Sequence, residues 1–187
     1  MTHQSQQLRM TVYVSLFAAL IAAGSYLAIP VGPVPIVLQN FFVMLAGLIL
    51  GRRWGLVCVG IYLFAGLIGL PVFAGGTGGI GRIAGPTGGY LLSYLPAVWI
   101  IGLISETGRK RLVFDLAALI FGTVLVYAIG ASWLKLITGM DWVKAGSVGV
   151  LPFLIGDALK VAAALPVAKT LRPVVSGALS SSGEQVE

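Results

Sequence analysis

Leu112-Val-Phe-Asp-Leu-Ala-Ala-Leu-Ile-Phe-Gly-Thr-Val-Leu-Val-Tyr-Ala-Ile-Gly-Ala-Ser-Trp-Leu134 is an almost unbroken apolar run. As a helix rising 1.5 Å per residue it extends about 34 Å, enough to cross the roughly 30 Å hydrocarbon core of a bilayer. Similar runs lie on both sides of it. Upstream they cover about Met10 to Ile29, Ile36 to Leu50, Trp54 to Leu70 and Tyr90 to Ile104, and downstream about Val150 to Ala168. With 58% hydrophobic side chains, 10% charged ones and a mean hydropathy of +0.99, the chain has too little polar surface to face water all round. The expectation is an all-α integral membrane protein, a compact bundle of six transmembrane helices. The first run lacks an A-x-A cleavage pattern and reads as a retained helix.

Six spans nearly exhaust 187 residues, so residues 1–172 are expected to form one domain, with no room for a soluble nucleotide-binding or catalytic unit. Residues 173–187 read as a polar, disordered tail. The net charge of +6 reports topology rather than nucleic-acid binding, because the basic residues sit between apolar runs. Eight of the twelve Lys and Arg fall on one side: Arg9, Arg52, Arg53, Arg109, Lys110, Arg111, Lys169 and Arg172. Arg82, Lys135 and Lys144 fall on the other, and Lys160 lies within a span. The positive-inside rule then places the chain in the cytoplasmic membrane as a multi-pass protein with both termini cytoplasmic.

On the outer side this arrangement gathers a proline elbow (Pro30-Val-Gly-Pro-Val-Pro35), a glycine-dense loop from Pro71 to Gly89, and the connection from Lys135 to Gly149. The loop contains Gly76-Thr-Gly-Gly-Ile-Gly81, a literal G-x-G-x-x-G, but it follows a membrane helix and no βαβ unit surrounds it, so it is not a dinucleotide site. Glycine here serves close backbone approach, to a helix or to a ligand. Arg82 in this loop is either a second cation over a cavity or a solvated loop residue.

Asp157 and Lys160 are the residues that demand an explanation, since a charge at the bilayer centre costs about 2.5–3.5 kcal/mol even on the lenient insertion scale. At i and i+3 they share a helix face, which must point into the bundle. They form either an internal ion pair that binds span 6 to its neighbours or a pair that meets a polar solute. In span 1, Ser15, Ala19 and Ala23 make one small-residue stripe and Ala18 with Ala22 another, suited to close helix packing. The absences exclude function classes: the sequence has no GxxxxGK[ST], G-x-S-x-G or H-E-x-x-H, a single cysteine, Cys58, within an apolar run, and a single histidine, His3. Neither an ATPase, a serine-nucleophile enzyme nor a resident metal or cofactor is expected, and the chain is read as a non-enzyme.

Three stretches carry a resemblance: Pro35-x-x-x-Gln39, Gly85-Pro-Thr-Gly-Gly-Tyr90 and Gly156-Asp-x-x-Lys160. Together they resemble the biotin-transporter BioY family, the substrate-binding S components of energy-coupling-factor (ECF) transporters, over nearly the whole chain. The resemblance implies high-affinity biotin capture and uptake in an outward-facing cavity covered by the elbow and the glycine loop. Asp157 and Lys160 would be the polar ligand contacts, with Gln39, Thr87, Tyr90 and Arg82 as further candidates. Ala18 and Ala22 would dock a transmembrane T component, itself coupled to a pair of ATPases that use the ATP. The implied partners are biotin, membrane lipid and that ECF module, with a homo-oligomer in its place should the chain act alone. From the residues themselves, an ion- or proton-coupled small-solute carrier or channel is the alternative, with Asp157 titrating.

Overall fold

The computed structural model describes residues 2–30, 32–108 and 111–180. Helix α1 (Thr2–Tyr26) is followed by a two-stranded antiparallel pair, β1 (Ala28–Ile29) and β2 (Ile36–Val37), which holds the ends of the proline elbow together. Then come α2 (Gln39–Leu67), the short α3 (Ile80–Ala84), α4 (Gly88–Thr107), α5 (Leu112–Thr138), α6 (Trp142–Gly149), a 3₁₀ turn at Leu151–Phe153, and α7 (Leu154–Ser180).

Among the described residues, five helical stretches are long and apolar enough to cross a membrane: Gln6–Tyr26, Gln39–Leu67, Gly88–Thr107, Leu112–Thr138 and Trp142–Ser176. The second contains two of the six expected spans. Its backbone breaks at Gly51 (φ 78°, ψ −178°), a conformation essentially confined to glycine. A methyl group placed on Gly55 would lie 3.4 Å from the Ala46 carbonyl oxygen, whereas nine residues of continuous helix would separate those positions by about 13 Å. Residues 39–50 and 52–67 therefore fold back on each other. The first arm is only about 18 Å long. It is tolerated because α2 is mostly enclosed by protein, with 67% of its apolar window buried against 22% in α5. Helix α4 packs into this hairpin. A methyl on Gly102 would sit 2.2 Å from the Arg52 amide nitrogen, and side chains of α4 at Val98 and Ile101 fill the space beside Gly55 and Gly47.

The turn at Gly51 marks the basic end of the bundle. Glu106 accepts the Arg52 backbone N–H (2.9 Å) and pairs with its guanidinium (3.3 Å), so the end of α4 caps the hairpin. At the opposite end the three expected loops meet. The Tyr26 hydroxyl donates to the Pro71 carbonyl (2.6 Å), Gly75 N–H to Ser25 O (3.2 Å), Trp133 Nε1–H to Gly85 O (2.9 Å) and the Tyr90 hydroxyl to Gly149 O (2.7 Å). In the glycine loop, a methyl on Gly78 would fall 2.2 Å from the Leu70 carbonyl oxygen, and Gly76 and Gly79 have positive φ. The G-x-G-x-x-G pattern is thus spent on the loop's own close packing.

Two boundaries differ from the sequence expectation. Helix α7 runs on through Ser180, eight residues into the segment expected to be a disordered tail, because Val175 is buried in the core and the Ser176 hydroxyl donates back to Arg172 O (2.8 Å). Residues 181–187 of that tail, like Arg109 and Lys110 of the basic loop, lie outside the described residues. The last span also begins later than Val150: α6 and the 3₁₀ turn occupy the approach, so Asp157 falls in the first turn of α7.

Candidate functional site

The loop end of the bundle holds a half-open cavity of about 60 Å³, smaller than the usual small-molecule site. Its apolar wall comes from the elbow (Val34, Pro35), α4 (Leu91), α5 (Val126) and the 3₁₀ turn (Phe153), and Ala74 of the glycine loop closes part of it. A smaller space of about 20 Å³ continues from it toward the basic end, past Val43, Ala97 and Ile101. Asn40, Tyr94, Val126 and Asp157 line both, so the polar residues stand at the waist between them.

Asp157 and Lys160 are brought together there, 2.8 Å apart and nearly buried. Asp157 Oδ1 also accepts from Asn40 Nδ2 (2.9 Å), and Oδ2 accepts from the Tyr127 hydroxyl (2.6 Å). Lys160 Nζ donates to Asp157, to the Asn40 side-chain oxygen (2.8 Å) and to the Val37 carbonyl (2.7 Å). An ammonium carries three N–H donors, and here all three are engaged. The ion pair is therefore electrically closed, its desolvation offset by hydrogen bonds from α2, α5 and the elbow. A carboxylate can accept about four hydrogen bonds; Oδ2, with one donor, keeps acceptor capacity on the side of the cavity.

The other expected residues divide. Gln39 is buried (1% exposed), lines the cavity, and its Nε2 has no hydrogen-bond partner. Thr87 and Tyr90 line the cavity too, but their hydroxyls are turned to protein carbonyls: Thr87 donates to Arg82 O (3.3 Å) and Tyr90 to Gly149 O. Arg82 is not brought to the cavity. It lies exposed on α3, because the short helix turns that side chain outward while its carbonyl takes the Thr87 bond. On α1, Ala18 is buried in the core and Ala22 is half-buried against it, so this stripe packs inside the bundle. The outward stripe is the neighbouring one, Ser15, Ala19 and Ala23.

Asn40, Tyr94 and Tyr127 belong to the site and were not singled out from the sequence. Asn40 was legible as a polar residue opening an apolar helix beside Gln39. Tyr94 lies one helical turn beyond Tyr90 on the same face. Tyr127 sits in a lipid-length run with nothing in sequence to mark it. Among the described residues, no three His, Cys, Asp or Glu side chains stand together as metal ligands would.

This is a polytopic helical bundle with a mainly apolar cavity covered by loops at one end and a hydrogen-bonded ion pair at its base. The chain belongs to the BioY family, whose model matches residues 1–177. It is 38% identical over 165 residues to the biotin transporter BioY of Thermotoga maritima, covering 88% of this chain and 96% of that one. It is 41% identical over 164 residues to the biotin transporter BioY of Rhizobium etli, covering 82% and 87%. It also superposes on a crystal structure of the S component for biotin from an ECF-type ABC transporter, with a TM-score of 0.84 and 33% identity over 89% of this chain and 92% of that one. Those relatives are transporters, which agrees with the reading of this chain as a non-enzyme.

Proposed function

We propose that this protein captures biotin from the outer side of the cytoplasmic membrane as the substrate-specific S component of an ECF transporter. The observation that carries the reading is the closed Asp157–Lys160–Asn40–Tyr127 cluster at the base of the loop-covered, mainly apolar cavity. Biotin combines a fused apolar ring system, a ureido group with two N–H donors and a carbonyl, and a carboxylate on a flexible chain. An apolar wall with few convergent polar groups suits it. Asp157 Oδ2 accepts a ureido N–H. Lys160, with its donors spent inside the protein, holds Asp157 in place. That differs from the direct ligand contact expected of Lys160, and the reason is the count of its hydrogen bonds.

The basic end, with Arg52, Lys169 and Arg172, faces the cytoplasm together with both termini, and residues 1–172 make up the substrate-binding domain. Transport energy comes from partner ATPases acting through a T component. Purified protein retains labelled biotin with a dissociation constant well below micromolar; micromolar or weaker retention, measured by equilibrium dialysis in detergent, sinks the reading.

The T component docks on the exposed face of α1, where Ser15, Ala19 and Ala23 let another helix approach between the exposed Val12 and Leu16. Ala19→Trp therefore abolishes co-purification with the T component while biotin affinity stays within about twofold, since the side chain points away from the chamber. Ala18→Trp, by contrast, overpacks the core and lowers stability by about 1–3 kcal/mol. Retained co-purification of the Ala19→Trp protein removes this face as the docking surface.

A further inference from the structure

The chamber's donors can be accounted for one by one. Lys160 has given its three N–H groups to Val37 O, Asn40 and Asp157. The hydroxyls of Thr87, Tyr90 and Tyr127 are donated to Arg82 O, Gly149 O and Asp157. Apart from the second N–H of Asn40, whose amide is already tied to Asp157 and Lys160, two cavity-lining donors remain without a hydrogen-bond partner among the described residues: the Gln39 amide and the Tyr94 hydroxyl. Leaving an amide donor unpaired at 1% exposure costs about 1–3 kcal/mol, a penalty a ligand acceptor removes. The two groups are not equivalent. A half-turn of the terminal torsion exchanges the ends of the Gln39 amide, so it can present N–H and C=O side by side. That edge matches the C=O and N–H edge of a cyclic urea. A phenol offers one hydroxyl only.

Resting on the biotin reading above, we infer that Gln39 is the specificity-determining residue that pairs with the ureido edge of the ligand, donating to its carbonyl oxygen. Asp157 takes the N–H on the other side, so the urea is read from two elements, the first turn of α2 and the first turn of α7. A neutral amide suits this position because the Asp157–Lys160 pair is already closed and an extra buried charge would stand uncompensated. Gln39 was included among the contacts by resemblance; its unpaired amide assigns it to one end of the ligand.

The test is a ligand-by-variant cycle on the purified full-length protein with three probes. These are biotin, 2-thiobiotin, in which sulfur, a weak acceptor, replaces the carbonyl oxygen, and biotin methyl ester, which lacks the carboxylate charge. The wild type prefers biotin to 2-thiobiotin by about 10-fold or more. Gln39→Met loses about 10- to 100-fold in biotin affinity, and its preference over 2-thiobiotin shrinks to within about threefold. The methyl ester suffers the same loss as biotin. A preference retained in Gln39→Met, or a loss confined to ligands with a free carboxylate, overturns the assignment. Gln39→Leu carries the same comparison should the methionine variant not be monodisperse. Failure of the biotin reading itself looks different, since the wild type then retains none of the three probes.

Discussion

An Asp157→Asn protein loses stability and biotin binding together, and a second substitution at Lys160 restores only one of them. Asparagine keeps the shape of the side chain and an oxygen at the Asn40 and Lys160 contacts, but it removes the charge that balances Lys160. The ammonium side chain is 11% exposed, and breaking such a pair by deleting one partner costs about 3–5 kcal/mol because the survivor stays buried and uncompensated. Biotin binding falls by about 100-fold or more, since the position of Oδ2 then carries an amide NH2, a donor that faces the ureido N–H instead of accepting from it. In Asp157→Asn/Lys160→Met both charges are gone, and replacing a buried ion pair by apolar atoms is often neutral, so thermal unfolding returns close to the wild type. Binding does not return. Were the pair only an internal bolt between α7 and α2, the double variant would recover both. Thermal unfolding in detergent and equilibrium dialysis with labelled biotin on the three variants separate the readings.

That cluster shows how far the sequence reaches. Asp157 and Lys160 were legible because charge in a lipid-length run is expensive, and their i, i+3 spacing put them on one face. Their partners were not, because Asn40 and Tyr127 lie 117 and 30 residues from Asp157, and a hydrogen bond across helices leaves no periodicity. The six crossings were legible from hydropathy, but the form of the second and third was not. Gly51-Arg52-Arg53 reads as an ordinary basic loop; only the backbone shows that one glycine reverses the chain, with Glu106 of α4 closing the turn. The stripe on α1 shows a finer limit. Small residues at 15, 18, 19, 22 and 23 cover adjacent faces, and a rotation of about 100° per residue decides which face meets the bundle and which is left open. The direction of Arg82 was left open by the sequence because the five-residue α3 within the glycine loop sets it, and such a helix carries no apolar period to predict it.

At the basic end, the substitution with the largest effect on stability is Arg172→Met. From its position near the end of the last span, Arg172 read as one more positive-inside residue on the surface. In the fold its side chain is 11% exposed and joins four elements. Its guanidinium donates to both oxygens of Asp115 on α5, to the Ser105 hydroxyl on α4 (2.9 Å) and, through Nε, to the Leu48 carbonyl of the first α2 arm (2.9 Å). Ser105 donates in turn to Asp115 (2.6 Å). Removing the arginine leaves Asp115 buried without its countercharge, which costs about 3–5 kcal/mol. Arg172→Lys recovers only part of this, because a single ammonium cannot reproduce the two-pronged contact with the carboxylate while also reaching Leu48 O. Asp115→Leu/Arg172→Met regains most of the loss, for the reason that applies at Asp157. The two clusters are otherwise independent: fifteen residues of helix separate Asp157 from Arg172, about 22 Å along α7. Distant sites without shared partners add. The folded fraction of Arg172→Met therefore binds biotin within about twofold of the wild type, while its unfolding temperature in detergent drops. A drop in affinity at unchanged unfolding temperature would instead mean that the basic end controls the chamber, and that the bundle transmits strain along α7 rather than merely being bolted at both ends.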